Sequence, residues 1–196
     1  TGMIRMPKVF SEGTVLPVGD PIDRFAQPGG YNRVPVIFGT NRDENKLFLF
    51  GDPQRVKMWF GILPRVRDEQ WYNLSAEYLA KNWKATGADG PARAMRASQN
   101  PNVFVYRFDW DEEPTKLGSD LSMLVGAAHG FEIPFVFGHF DLGERGNVIF
   151  TSENEAGRVA LSDQMMSYWA QFAYTGNPGR GRDGKLPEWK PWPAEG

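Results

Sequence analysis

The sequence contains no cysteine and only two histidines, His129 and His139. The absence of cysteine excludes disulfides, thiolate nucleophiles and cysteine-rich zinc sites within these 196 residues. No apolar run approaches the roughly 18 residues of a membrane-spanning helix. Basic and acidic residues number 22 and 24, without a long run of either sign. This charge pattern is not that of a nucleic-acid binder or of a membrane-surface helix, and it leaves the cellular compartment open.

Two short segments have the composition of buried strands. Hydrophobic residues make up 41% of the chain and aromatic residues 14%, which is enough for the core of one domain. The segment "RVPVIFGTNRDE" (33–44) contains a continuous apolar run typical of a parallel strand, and "NVFVYRFDW" (102–110) is rich in β-branched and aromatic residues. We expect the acidic cluster "DWDEE" (109–113) to be a solvated turn.

Two helices are predicted from apolar spacing. In segment 68–83 the residues at helical spacing are Trp71, Leu74, Tyr78 and Trp83. Near the end of the chain, Ser152 and Glu155 form a capping box, and "TGNP" terminates the helix with Gly176 and Pro178. The apolar stripe of this second helix is Leu161, Met165, Trp169 and Phe172. Strands and helices in this order indicate a layered α/β protein, but two strands make a poor parallel sheet, so we expect part of a larger fold.

A carboxylate and a histidine follow the two predicted strands. Glu44 ends "GTNRDE", and His129 lies in the small-residue loop "GAAHG" (126–130), which we expect to leave the ring room to move. Catalytic groups in α/β sheets tend to lie beyond the carboxyl ends of the strands. An acid followed by a histidine matches the chain order Ser…Asp/Glu…His of the α/β-hydrolases.

Spacing alone leaves other interpretations open. A carboxylate beyond a strand is more often a helix cap or a surface charge, and a single histidine is more often structural. A metal site is a weaker alternative: His129 and Glu132 are three residues apart, but His139 is too loosely placed to be a third ligand. We expect Glu132 in the first turn of a helix, where a negative charge is favoured, and His139 at the surface or behind the site.

Four segments resemble, in the right order, those of type-B carboxylesterases, the α/β-hydrolase family that includes the cholinesterases. They are "EGTVLPVGDP", "VPVIFGTNRDENKLFLF", "GAAHGFEIPFVFG", and "LSDQMMSYWAQFAYTGNP" followed by "LPEWKPWP". The resemblance runs from about Val9 to Pro193. It implies the C-terminal part of an α/β-hydrolase fold, with the last strands of a mostly parallel sheet and flanking helices. Within it we expect a lead-in and acid strand (1–44), a helical lid or pocket region (45–100), a strand and histidine loop (101–150), and a C-terminal helix and tail (151–196).

The resemblance also implies roles for individual residues. The catalytic acid is Glu44 rather than Asp43, because the family motif ends its acidic pair with the catalytic glutamate, and the base is His129. The substrate pocket is expected to include Leu47, Phe48 and Phe131. Asn45 replaces the usual glycine after the acid, and asparagine tolerates left-handed backbone angles better than most residues.

The family's nucleophile motif, G-x-S-x-G, does not occur in these 196 residues. Ser119 and Ser122 lack the flanking glycines of a strained strand-to-helix turn. We therefore expect a companion N-terminal segment to supply the serine and the oxyanion hole, and the chain alone to be neither active nor independently stable. The predicted activity is hydrolysis of a small-molecule ester without cofactor or metal. The alternative is an inactive cholinesterase-like module that works by binding or adhesion.

Overall fold

The computed structural model describes residues 12–143 and 146–193, so the first eleven residues of the expected lead-in, including Val9, lie outside it. Its strands are β1 (Val36–Asn41), β2 (Val56–Trp59), β3 (Leu63–Val66), β4 (Val103–Phe108), β5 (Thr115–Lys116) and β6 (Ser119–Asp120). Its helices are α1 (Pro21–Phe25), α2 (Lys46–Phe50), α3 (Glu69–Lys84), α4 (Gly90–Ala97), α5 (Leu121–Leu124), α6 (Glu132–Phe137), α7 (Gly146–Ile149) and α8 (Glu155–Thr175). A π turn, Ala85–Asp89, joins α3 to α4.

The two predicted strands, β1 and β4, form a parallel pair. In this register Gly39 lies opposite Tyr106. A Cβ atom on Gly39 would lie 2.0 Å from the Tyr106 ring, so only glycine lets that ring close over the strand. Because parallel strands run the same way, the chain leaves β1 and β4 at one edge of the pair.

The two outer edges of this pair differ. Along β4, the Trp192 N–H donates to the carbonyl of Val103 at 2.7 Å, so the C-terminal tail covers part of that edge. Along β1, no strand from the described residues pairs with the outer edge. An open edge on a largely apolar strand is a site where a further strand can add.

The predicted helix at 68–83 is observed as α3. Asp68 caps it by accepting a hydrogen bond from the Trp71 N–H at 2.9 Å. Its buried face consists of Tyr72, Ala76 and Ala80. The apolar residues that predicted the helix therefore lie on its more exposed side, and the small residues between them allow α3 to pack close to β1.

The C-terminal helix ends where predicted but begins differently. It ends at Gly176, whose φ of 73° is the left-handed angle that glycine adopts at helix ends. The predicted capping box is wrong, because Glu155 is the first helical residue rather than the third. Asn154 occupies the cap position, and its side chain donates to the carbonyls of Glu112 and Ile149 instead. Of the predicted stripe, Met165 is buried in the core.

Region 45–100 contains an antiparallel hairpin in addition to its helices. Strands β2 and β3 pair from Val56 with Val66 to Trp59 with Leu63. No sequence pattern predicts this hairpin, because Pro64 interrupts the second strand and proline is confined to sheet edges. Phe60, at the tip, is 89% exposed.

The main core cluster lies beneath the histidine loop and consists of Phe108, Trp110, Ala127, Phe135, Phe150 and Met165. The expectation of a solvated turn at 109–113 is therefore wrong for Trp110, and also for Glu113, which is buried. Trp110 continues the inward-facing side of β4 beyond the last paired residue. No helix in the described part of the chain is long and apolar enough to cross a membrane.

Candidate active site

The carboxylate of Glu44 lies in the turn that follows β1 and is 4% exposed. Its Oε1 accepts a hydrogen bond from the Asn41 backbone N–H at 2.7 Å, and Thr40 Oγ1 lies 3.5 Å away. Its Oε2 lies 2.7 Å from Nδ1 of His129. The two predicted residues, 85 positions apart in the chain, therefore form an acid–histidine pair in which the carboxylate is buried.

The His129 ring uses only one nitrogen for this contact. Its side chain is 46% exposed, and no hydrogen bond from the described residues engages Nε2. A carboxylate on Nδ1 fixes which nitrogen carries the proton and leaves Nε2 as a proton acceptor. This is the arrangement of a general base held by an acid.

The loop that carries His129 is held firmly rather than left free. Ala127 and Ala128 are fully buried. The side-chain amide of Asn41 donates to the carbonyl of Ala128 at 2.7 Å, and the Asp43 N–H donates to the carbonyl of Ala127 at 3.0 Å. The small residues let the loop backbone pack against the end of β1, while the expectation that they leave the ring room to move stays a prediction.

Two aromatic rings flank the imidazole. The Phe48 ring centroid lies 5.6 Å from that of His129, and the Trp83 centroid lies 5.1 Å away. Phe48 and Trp83 also stack on each other at 6.2 Å. Phe48 was a predicted pocket residue, whereas Trp83 was noted only as part of the spacing that predicted α3. No sequence signal linked Trp83 to His129, since the contact depends on how α3 packs.

The other two predicted pocket residues pack inward. Leu47 contacts the core cluster formed by Leu121, Leu124, Val125 and Ala128. Phe131 contacts this cluster and also the main core. Both residues support the histidine loop from below, and Phe48 is the predicted pocket residue that faces the imidazole.

The remaining candidates are Glu132, which has a structural partner, and His139, which lies at the surface. Glu132 lies in the first turn of α6, as predicted, and its carboxylate accepts from the Asn41 amide at 2.5 Å. His139 is exposed and lines an apolar groove of about 550 Å³ that begins at Gly130. Within the described residues, no group of three or more histidine, cysteine or acidic side chains could hold a metal ion.

The backbone at Asn45 does not adopt the left-handed angles that asparagine tolerates. Its φ is −87°, in the right-handed region, and it precedes the first residue of α2. The helix begins immediately, and so places Phe48 one turn further on, over His129.

The serines considered as nucleophiles do not reach the pair. Ser119 is buried, and its hydroxyl donates to the carbonyl of Pro64 at 2.9 Å. Ser122 precedes the loop, and its carbonyl lies 3.5 Å from Nζ of Lys46. Within residues 12–143 and 146–193, the site is therefore an acid and a histidine without a nucleophile in hydrogen-bond contact.

Buried polar side chains brace the site. The Tyr72 hydroxyl lies 2.6 Å from the carbonyl of Leu124 and 3.2 Å from that of Lys46, and so ties α3 to the segments on either side. Burial raises the pKa of Tyr72 above its ordinary value, with Asp43 adding to the rise. Burial likewise raises the pKa of Tyr106. Both phenols therefore remain neutral hydrogen-bonding groups over the physiological range.

Comparison with known proteins relates this geometry to a family. Residues 65–195 match the model of the Carboxylesterase family. The chain is 42% identical over 105 residues to the acetylcholinesterase of Electrophorus electricus, covering 54% of this chain and 15% of that protein. It is 28% identical over 169 residues to the para-nitrobenzyl esterase of Bacillus subtilis, covering 76% of this chain and 31% of that protein.

The likeness extends to three dimensions. A solved structure of a PNB esterase superposes with a TM-score of 0.56 at 26% identity, covering 87% of this chain and 35% of that one. The chain thus spans less than a third of the length of the two curated relatives described above.

Proposed function

The chain belongs to the carboxylesterase family, and from this we propose that it supplies the acid and the general base of a serine ester hydrolase. The similarity to PNB esterase confirms the predicted α/β-hydrolase fold, of which the chain covers a part. The observation that carries the proposal is the 2.7 Å contact between Glu44 and Nδ1 of His129, with Nε2 left open. The relatives described above are named as esterases, so they do not support the alternative of an inactive binding module.

In the proposed reaction His129 moves one proton in each half. As a serine Oγ bonds to the ester carbonyl carbon, its proton passes to Nε2 of His129. The same proton then passes to the leaving alkoxide oxygen as the C–O bond breaks, leaving an acyl-enzyme. Water then attacks the acyl carbon and gives a proton to Nε2, and this proton passes to the serine Oγ as the bond between Oγ and the acyl carbon breaks and the carboxylic acid leaves. Glu44 stabilises the imidazolium each time. This chemistry requires neither a metal nor a cofactor.

We assign the nucleophile and the oxyanion hole to a companion N-terminal segment that carries G-x-S-x-G. Three features of the chain support this assignment. The motif does not occur in these 196 residues, and Nε2 of His129 is open. The outer edge of β1 is also free among the described residues, so a further strand of the sheet can pair there.

The proposed substrate is a small-molecule ester with an apolar group beside the histidine. Phe48 and Trp83 form an aromatic wall within about one ring's width of the imidazole. Such a wall binds apolar or aromatic groups and excludes water from the reacting atoms. The para-nitrobenzyl group in the name of the Bacillus subtilis relative is an aromatic group of this kind.

The test compares the chain's two histidines in the protein assembled with its G-x-S-x-G segment. His129→Ala should lower kcat for p-nitrophenyl acetate by about three orders of magnitude or more, because a triad without its base loses most of its rate. The matched control, His139→Ala, should stay within about threefold of wild type, since His139 is an exposed residue outside the pair. Turnover of His129→Ala within tenfold of wild type would remove the assignment.

A second measurement tests the companion segment. The 196-residue chain alone should not hydrolyse p-nitrophenyl acetate above the background rate. Turnover by the isolated chain would contradict the companion segment and direct the search to a nucleophile within it.

A further inference from the structure

We propose that Asp43, the residue before the catalytic acid, is a positioning residue that locks the histidine loop to the acid turn; this inference rests on the proposed ester hydrolase. Asp43 binds both polar groups of one residue in that loop. Its backbone N–H donates to the carbonyl of Ala127 at 3.0 Å, and its Oδ2 accepts from the Ala127 N–H at 3.2 Å. Ala127 is fully buried and lies two residues before His129.

This double contact sets the geometry of the reacting pair. Asp43 is covalently joined to Glu44, and Ala127 is two residues from His129. A shift between Asp43 and Ala127 therefore changes the distance between Glu44 Oε2 and His129 Nδ1 directly. Among the described residues, the amide of Asn41 adds the next contact, to Ala128 at 2.7 Å, on the same side of the loop.

Two cations hold the Asp43 carboxylate in place. Its Oδ1 lies 3.1 Å from Nζ of Lys46, and its Oδ2 lies 2.9 Å from Nη2 of Arg42. Arg42 also pairs with Asp111 at 2.8 Å, so the same network reaches the segment after β4. A largely buried carboxylate with charged partners on both oxygens is fixed in position more firmly than one held by neutral groups.

Gly126 is shaped to receive this carboxylate. Its φ is 48°, and a Cβ atom at this position would lie 2.6 Å from Asp43 Oδ2. A side chain there would push the carboxylate away from Ala127. Gly130, on the other side of His129, also has a positive φ of 83°, but a Cβ there would meet nothing closer than 4.0 Å. Substitution of either glycine by alanine strains the backbone, but only the change at Gly126 also disturbs the Asp43 carboxylate, so the two variants separate these effects.

The first experiment measures the pair without any substrate. In the assembled protein, with ¹⁵N-histidine incorporated into this chain alone, NMR shows two labelled rings, which the variant His139→Gln assigns. In Asp43→Ala, solvent exchange of the His129 Nδ1–H should accelerate at least about tenfold, because the hydrogen bond to Glu44 opens more often. Asp43→Asn keeps an oxygen acceptor for the Ala127 N–H and should restore most of the protection. An unchanged exchange rate in folded Asp43→Ala would overturn the proposal.

The second experiment measures hydrolysis in the assembled protein. Asp43→Ala should lower kcat by about 10- to 100-fold and leave KM within about twofold, since small displacements of a catalytic group cost rate rather than binding. Gly126→Ala should reproduce this loss, whereas Gly130→Ala should stay within about threefold. Equal losses in the two glycine variants would attribute the effect to backbone strain and overturn the proposal.

The two experiments also separate this inference from the proposed function. If the wild-type protein hydrolyses no ester while Asp43→Ala still accelerates exchange at His129, the ester hydrolase fails and the positioning role stands. If hydrolysis is observed but Asp43→Ala changes neither exchange nor kcat, the positioning role fails alone.

Discussion

Glu44 and Glu113 are two glutamates buried to nearly the same extent, at 4% and 6% exposure, in the segments that follow β1 and β4. Their surroundings differ. Glu44 accepts hydrogen bonds at both oxygens, from the Asn41 N–H and from His129. Neither carboxyl oxygen of Glu113 has a partner on another described residue. Burial alone therefore does not determine whether a carboxylate can act beside the histidine; the hydrogen-bond donors around it do.

The contrast has a measurable electrostatic consequence. Burial raises the pKa of Glu113 to about 8, with Asp111 and Asp43 adding to the rise and the residue's own backbone N–H and Lys46 opposing it. A carboxyl without donors on neighbouring residues keeps its proton because the charged form is poorly solvated. A protonated Glu113 carries no charge with which to stabilise an imidazolium, whereas the hydrogen-bonded Glu44 is placed to do so.

The sequence predicts the partnered glutamate better than the unpartnered one. Glu44 and His129 lie in loops that follow the two predicted strands, and the resemblance to type-B carboxylesterase segments, not their spacing, assigned them as a pair. Glu113 lies in an acidic cluster whose composition is typical of a solvated turn, yet it is buried, and Trp110 of the same cluster packs into the core. Whether such a glutamate is buried depends on packing between distant segments, which the periodicity of the sequence does not predict.

The same distinction explains the other successes and failures. The C-terminal end of α8 was predicted because Gly176 acts through local backbone geometry, and the helix predicted from apolar spacing at 68–83 is observed as α3. The Trp83–His129 contact and the Asn154 cap depend on segments far apart in the chain, so no local pattern announced them.

The largest expected effect is the loss of kcat on substitution of Glu44. Glu44→Gln should lower kcat for p-nitrophenyl acetate in the assembled protein by about 10³- to 10⁴-fold, because an amide cannot stabilise the imidazolium and permits the wrong tautomer. Glu113→Gln, a matched change at the other buried glutamate, should stay within about threefold. Similar losses in both variants would mean that burial, which the two glutamates share, and not the histidine partner, accounts for the loss of rate.

A smaller effect, on stability, should appear at Glu113. The folded chain keeps the Glu113 proton up to about pH 8, whereas the unfolded chain releases it near the ordinary value of 4.5. Between these values the folded state binds more protons, so the free energy of unfolding should fall as pH rises through this window and level off above it.

Urea unfolding of the assembled protein, as wild type and as Glu113→Gln, at pH 5, 7 and 9 measures this dependence. The neutral variant lacks the titrating group, so its stability relative to wild type should increase with pH, by on the order of a few kcal/mol at pH 9. A constant difference between the two proteins across the three pH values would show that Glu113 ionises normally.

The smallest expected effect concerns the aromatic wall on the Glu44 side of the comparison. Phe48 faces the His129 ring, whereas its neighbour Leu47 packs into the core. Phe48→Ala should change the ratio of kcat/KM for p-nitrophenyl butyrate over acetate by about threefold to tenfold, because it removes apolar surface beside the reacting group. Trp83→Ala should change the ratio in the same way.

Leu47→Ala should instead lower the free energy of unfolding by about 2–4 kcal/mol and leave the ratio unchanged, since it creates a cavity away from the substrate. A ratio that moves in Leu47→Ala and not in Phe48→Ala would place the pocket on the opposite side of α2.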